Sequence, residues 1–155
     1  MPSASYSAPR VVTGIDEAMA VLRSQGLRVS ATRRAALEAL LAAEGPVSAE
    51  YLASGLGGRV SGCDLPSAYR NLELFERLGM VRHVHIGHGP GLYALVAGDE
   101  HAYAVCERCG ELSRLSAAQL EAIRSEVRSA NGFEAHFSHF PILGLCAACA
   151  GKPAG

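Results

Sequence analysis

Apolar residues return every three or four positions through the first half of this chain. Ala18, Val21 and Leu22 give such a stripe between about Ile15 and Ser24, which predicts a helix ended by Gln25-Gly26. Ala36, Leu37, Leu40 and Leu41 give a second stripe, which Gly45-Pro46 breaks. Its start is marked by Ser30, whose hydroxyl can satisfy the open amides of a first turn. Ser48 marks a third start, with Glu50 and Tyr51 in the first turn, and glycines at 55, 57 and 58 fray its end near Leu56. A fourth helix is expected after Asp64, with Pro66 in its first turn and Gly79 as its stop beyond Leu78. Leu65, Ala68, Leu72, Phe75 and Leu78 form its predicted buried stripe, which turns Ser67, Arg70, Asn71 and Glu73 outward and leaves Tyr69 at the border.

The period then shortens. Met80 to Ile86 and Gly91 to Val96 read as two strands joined by a Gly-His-Gly-Pro-Gly turn. Helices followed by a two-stranded wing are the winged-helix pattern, in which polar residues near the start of the last helix meet base edges and phosphates. Residues 1–13, rich in Ser, Ala and Pro, are expected to be a flexible tail, residues 14–96 a winged-helix DNA-binding domain, and residues 97–100 a hinge. Beyond it the pattern predicts strands over 101–105 and 111–115, a helix from Ser116 to about Ala130, and a long strand from Phe133 to Leu143 interrupted at Pro141. Residues 101–150 thus read as a second domain with a small antiparallel sheet, and the whole chain as α+β.

Composition changes this picture little. The 155 residues suit one domain or two small ones, and 49% hydrophobic content can fill their cores. No apolar run is long enough to span a bilayer, and Met1 to Arg10 lacks the order of a secretory signal. A cytoplasmic protein with no membrane partner is expected. Net charge is −1, so no global attraction to nucleic acid exists. All but one of the 14 basic residues are arginine, however, which suits bidentate contacts to phosphate or guanine wherever they cluster.

The chemistry concentrates in cysteine and histidine. Cys106, Cys109, Cys146 and Cys149 form two Cys-x-x-Cys knuckles, the spacing of a structural tetrahedral zinc site, and such use of cysteine fits a reducing compartment. The fifth, Cys63, lies in the loop before the fourth helix and reads as a plain loop cysteine, with a sensing ligand or a redox reporter as the alternatives. His83 and His85 stand two apart on the second wing region, where alternation would turn both imidazoles to one side. His88 follows in the turn, His101 opens the sheet strand, and His136 and His139 fall on the last strand, on opposite faces. A metallohydrolase would need an open ligand position and a general base, for which only Glu100 is near, so that class is set aside.

Taken together, Gly26-Leu27-Arg28-Val29-Ser30-Ala31-Thr32-Arg33-Arg34, Pro66-Ser67-Ala68-Tyr69-Arg70-Asn71-Leu72, Leu78-Gly79-Met80-Val81 and the two knuckles resemble the ferric-uptake-regulator family of metal-dependent repressors over about residues 20 to 150. The family usually carries Thr-Val where Ser67-Ala68 stands. The resemblance implies a homodimer joined through the C-terminal sheet, reading a pseudo-palindromic DNA operator with Tyr69 and Arg70, and with Arg33, Ser67 and Asn71 beside them. The family's common sensing site is reduced here to His101, because Gly45 or Pro46, Ala94 and Tyr103 replace its other ligands. The His83-x-His85 wing motif instead resembles the nickel-responsive branch, in which such a pair joins a histidine matching His139. The implied regulatory site is His83, His85 and His139, completed by His101 or by Glu121, a carboxylate position in some members. Bound Ni(II) or Zn(II) would bridge the hinge, favour a closed arrangement and promote operator binding to control metal homeostasis genes. Zinc uptake rather than nickel uptake as the regulated process, and a peroxide- or redox-responsive regulator, are the alternatives within the family.

Overall fold

The computed structural model describes residues 8–85, 89–96, 102–137 and 141–152. The chain divides into two compact units.

The first unit begins with α1 (Ile15–Ser24) and α2 (Ala31–Ala42). The Ser30 hydroxyl accepts the Arg33 amide at 3.3 Å and fixes the start of α2. A two-residue strand β1 (Val47–Ser48) leads into α3 (Ala49–Ala53), whose first turn is capped by Ser48. The expected third helix does not run on to Leu56. It breaks at α4 (Gly55–Gly58), where Gly55, Leu56 and Gly57 take positive φ. Leu56 is buried, so its apolar side chain offsets part of the cost of a left-handed backbone.

Backbone packs on backbone just here. A Cβ on Gly55 would lie 2.1 Å from the Val60 carbonyl oxygen, and one on Gly62 would lie 2.3 Å from that of Ala53. The Val60 amide donates to Gly55 and the Cys63 amide to Ala53, both at 3.0 Å. This glycine-braced loop delivers the chain to α5 (Leu65–Arg77), where Asp64 caps the Ser67 amide at 2.9 Å.

The wing is β2 (Val81–Val84) and β3 (Leu92–Leu95), antiparallel, with His83 opposite Tyr93. β1 adds to the free edge of β3, giving the order β1-β3-β2, an addition too short for alternation to reveal. Leu22, Leu37, Leu40, Leu52, Leu72, Phe75 and Met80 fill the core between helices and sheet.

The second unit has β4 (Ala102–Cys106), β5 (Leu112–Leu115), α6 (Ala117–Asn131), β6 (Ile142–Gly144) and a short α7 (Ala147–Ala150). Strand order is β5-β4-β6. β5 is antiparallel to β4, whereas β6 is parallel to it, so the sheet is mixed rather than wholly antiparallel. A chain that leaves β4 by a hairpin and returns after a helix re-enters on the far edge in β4's own direction. The long strand expected from Phe133 is not formed over residues 133–137. Arg128 holds Glu134 by two hydrogen bonds of 2.6 and 3.0 Å, and Arg124 donates to the Ala135 carbonyl at 3.0 Å, so that segment is tied to α6. Among the described residues no helix is long and apolar enough to cross a membrane.

Candidate metal centre and nucleic-acid face

The hairpin turn after β4 presents Cys106 and Cys109, and the first turn of α7 presents Cys146 and Cys149. β6 lies beside β4 with Gly144 opposite Cys106, and the Glu107 amide donates to the Gly144 carbonyl at 2.8 Å, which brings the knuckles face to face. Arg108 braces the second knuckle by donating to the carbonyls of Cys149 and Lys152. The four sulfurs all lie within 4.8 Å of one another, and Cys109 and Cys146 are 3.7 Å apart. A tetrahedron of sulfurs about 2.3 Å from zinc has edges of about 3.8 Å. All five cysteines are free thiols.

Electrostatics agree with that fit. Backbone amides of Cys109 and Cys146 donate to the Cys106 sulfur and lower its pKa to about 6. Cys149 goes the other way, raised to about 12 through its hydrogen bond with Cys146 and the crowding of further thiols. One thiolate forms easily and the last resists, until a divalent cation supplies the compensating charge. Cys63 stands apart. Burial first, and then Asp64, raise its pKa, which keeps it as the unreactive thiol.

α5 forms the candidate nucleic-acid face. Its buried side is Ser67, Ala68, Asn71, Leu72 and Phe75. Ser67 (9% exposed) and Asn71 (6%) therefore do not project outward as expected, while Leu65 (38%) does. The apolar stripe is centred one position round the helix from where Leu65 placed it, and Asn71 sits between Ala68 and Phe75. The Ser67 hydroxyl also accepts from Arg70 Nη2 at 3.0 Å, which steadies that guanidinium. Tyr69, Arg70, Glu73 and Arg77 remain exposed. Arg70 keeps most of its five donors for an outside partner. Arg33, at the start of α2, hydrogen-bonds back to the Arg28 carbonyl.

Sequence reasoning missed the partner of Tyr69. Its hydroxyl donates to Glu50 Oε1 at 2.9 Å, from α5 to the first turn of α3. A backbone hydrogen bond of its own, and then the bond from Tyr69, hold the Glu50 carboxyl below its usual range, and the bond to Glu50 raises the Tyr69 phenol. Nothing in the spacing of residues 50 and 69 signals this pair.

The histidines are divided. His83 stacks on Tyr93, with ring centroids 4.4 Å apart and planes 9° from parallel, and its Nε2 is buried. Gly91 leaves room for that ring, because a Cβ there would lie 2.0 Å from Nε2. β2 ends at Val84, so the strand alternation invoked to align His85 with His83 does not extend to His85, which is exposed. Glu121 is exposed on α6 and lies 3.6 Å from Arg124 and 3.7 Å from Arg128, so a metal there competes with two guanidinium groups. His136 is exposed and outside any strand. His88, Glu100, His101 and His139 lie outside the described residues. Among the described residues, the four cysteines alone bring three or more candidate ligands together.

Known proteins are similar to this chain. Residues 24–140 match the model of the ferric uptake regulator family. The chain is 26% identical over 138 residues to the peroxide operon regulator of Bacillus subtilis, covering 89% of this chain and 94% of that protein. It is 29% identical over 135 residues to the ferric uptake regulation protein of Neisseria meningitidis, covering 86% and 94%. Among solved structures, the Vibrio cholerae ferric uptake regulator superposes with a TM-score of 0.65 at 27% identity, covering 82% of this chain and 98% of that one. With the family model spanning most of the chain and the cysteine cluster assembled, this protein belongs to the ferric uptake regulator family, whose members are transcriptional regulators rather than enzymes.

Proposed function

We propose that this chain is a metal-responsive repressor. It binds a pseudo-palindromic DNA operator as a homodimer, through Tyr69 and Arg70 of α5 with Arg33 beside them. The observation that carries this reading is α5 itself: a capped helix, buried on one side in the family's matched segment, with Tyr69 and Arg70 exposed on the other. Zinc at Cys106, Cys109, Cys146 and Cys149 serves as a permanent staple, supported by the sulfur spacing. Leu143 (52% exposed) and Leu145 (48%), on and just after β6, supply apolar surface for a second copy.

The regulatory divalent metal, Ni(II) or Zn(II), is taken by His83, His85 and His139, completed by His101 or by Glu121, a nitrogen-rich set suited to these ions. Nε2 of His83 is buried against Gly91 of the wing. Metal can promote operator binding only by its higher affinity for the binding-competent state. Zinc-stapled protein is expected to shift operator DNA weakly in a gel titration, and to gain at least about tenfold when Ni(II) or Zn(II) is added. Equal affinity with and without metal overturns the metal response. A His83→Ala, His85→Ala variant that responds normally removes those two ligands, and titration of each metal separates a nickel from a zinc regulator.

The similarity to a peroxide operon regulator supports a second reading, in which oxidation of the cysteine cluster releases zinc and DNA. Full retention of zinc and of operator binding after mild peroxide treatment discards it.

A further inference from the structure

The side chain of Glu50 reaches the recognition helix from a different element and takes the only hydrogen that the Tyr69 hydroxyl can donate, at 2.9 Å. Both residues are exposed, and the acceptor is a carboxylate, so this is a charge-assisted bond made at the surface that a duplex would approach. A carboxylate there is repelled by phosphates, so the interaction weakens overall DNA affinity unless it returns something. What it can return is orientation. The bond to Glu50 tethers the far end of the Tyr69 ring, as Ser67 steadies the neighbouring Arg70.

We propose that Glu50 is a positioning residue for sequence reading: it pins the Tyr69 ring in one direction from α5 and withdraws its hydroxyl proton, so that the duplex meets the ring and not a hydrogen-bond donor. Glu50 thus works through Tyr69, and its carboxylate at the same time disfavours loose phosphate binding. The inference rests on the DNA-binding reading above. It makes discrimination between sequences, rather than total affinity, the property that Glu50 controls.

The test uses the full-length zinc-stapled chain, with Ni(II) or Zn(II) added, and duplexes it selects from a random DNA pool. For each variant the ratio of affinity for the selected duplex to that for a scrambled duplex is measured. Glu50→Ala and Tyr69→Phe, which both break the bond, are each expected to reduce that ratio by about five- to tenfold, the scale of one base-pair preference. The double variant should lose no more than either single one. Glu50→Gln keeps an acceptor for the hydroxyl and is expected to retain most of the ratio while binding both duplexes more tightly. Ultraviolet titration gives an independent readout: the Tyr69 phenol, raised by Glu50, should ionise at lower pH in Glu50→Ala. An unchanged ratio in Glu50→Ala, or additive losses in the double variant, overturns the role of Glu50 while leaving DNA binding intact. If wild-type protein enriches no duplex from the pool, the DNA-binding reading falls and takes this inference with it.

Discussion

Gly91 decides where the His83 imidazole can lie. The ring sits over the glycine backbone and against Tyr93, in space that a methyl group at residue 91 would occupy. Gly91→Ala is expected to expel the ring and cost about 1–3 kcal/mol in urea denaturation. In a His83→Ala background the same change should cost much less, since the clash is gone; equal costs in both backgrounds would show that the ring does not fill that space. At this scale the sequence is only partly legible. The four cysteines announce themselves by spacing, and the exposure of Tyr69 and Arg70 follows from the apolar stripe of α5. Ser67 and Asn71 do not reveal their burial, because a polar residue can be tolerated inside a helix face when neighbouring groups satisfy it, and a hydrophobicity pattern cannot register that. The Glu50–Tyr69 bond is equally hidden, as it joins two helices whose mutual angle no local pattern specifies.

Elements are read best where a cap residue announces them. Ser30, Ser48, Asp64 and Ser116 each accept an amide three residues on, and each starts a helix at the expected place. Ser116 does most, since Gln119 also reaches back to its amide at 2.9 Å, completing a capping box. Ser116→Ala is expected to destabilise α6 by about 1 kcal/mol, seen as a lower thermal midpoint, whereas Ser116→Asp should restore most of the loss. No loss on Ser116→Ala would mean that α6 is held by packing alone, for which Leu120 is its single buried side chain. Elements are misread where tertiary pairing overrides local signals. β1 has two residues and exists because the edge of β3 needs a partner. α3 stops early because backbone approaches backbone across the Gly55–Gly62 loop. The segment after α6 is claimed by Arg124 and Arg128 before it can extend as a strand.

The two units differ in how they are held. The first has a contiguous apolar core, whereas among described residues of the second only Ala102, Val105, Leu120 and two of the cysteines, Cys106 and Cys149, are buried. A unit so thinly cored depends on a staple. Removing zinc with a strong chelator is therefore expected to unfold the second unit, with α6 amides losing protection from hydrogen exchange, while amides of α2 and α5 stay protected. Uniform loss in both units, or none in either, would refute that division. The broad plan of winged helix and cysteine-stapled sheet is legible because its signals are periodic or chemical. The parallel return of β6 is not, since strand direction is set by a pairing between distant segments. That return has a consequence for synthesis. Cys109 and Cys146 stand 37 residues apart, so at about 5–20 residues per second the first knuckle leaves the ribosome some seconds before its partner exists. During that interval the nascent chain offers two of the four cysteines, so the proposed zinc staple closes only when the last strand comes home.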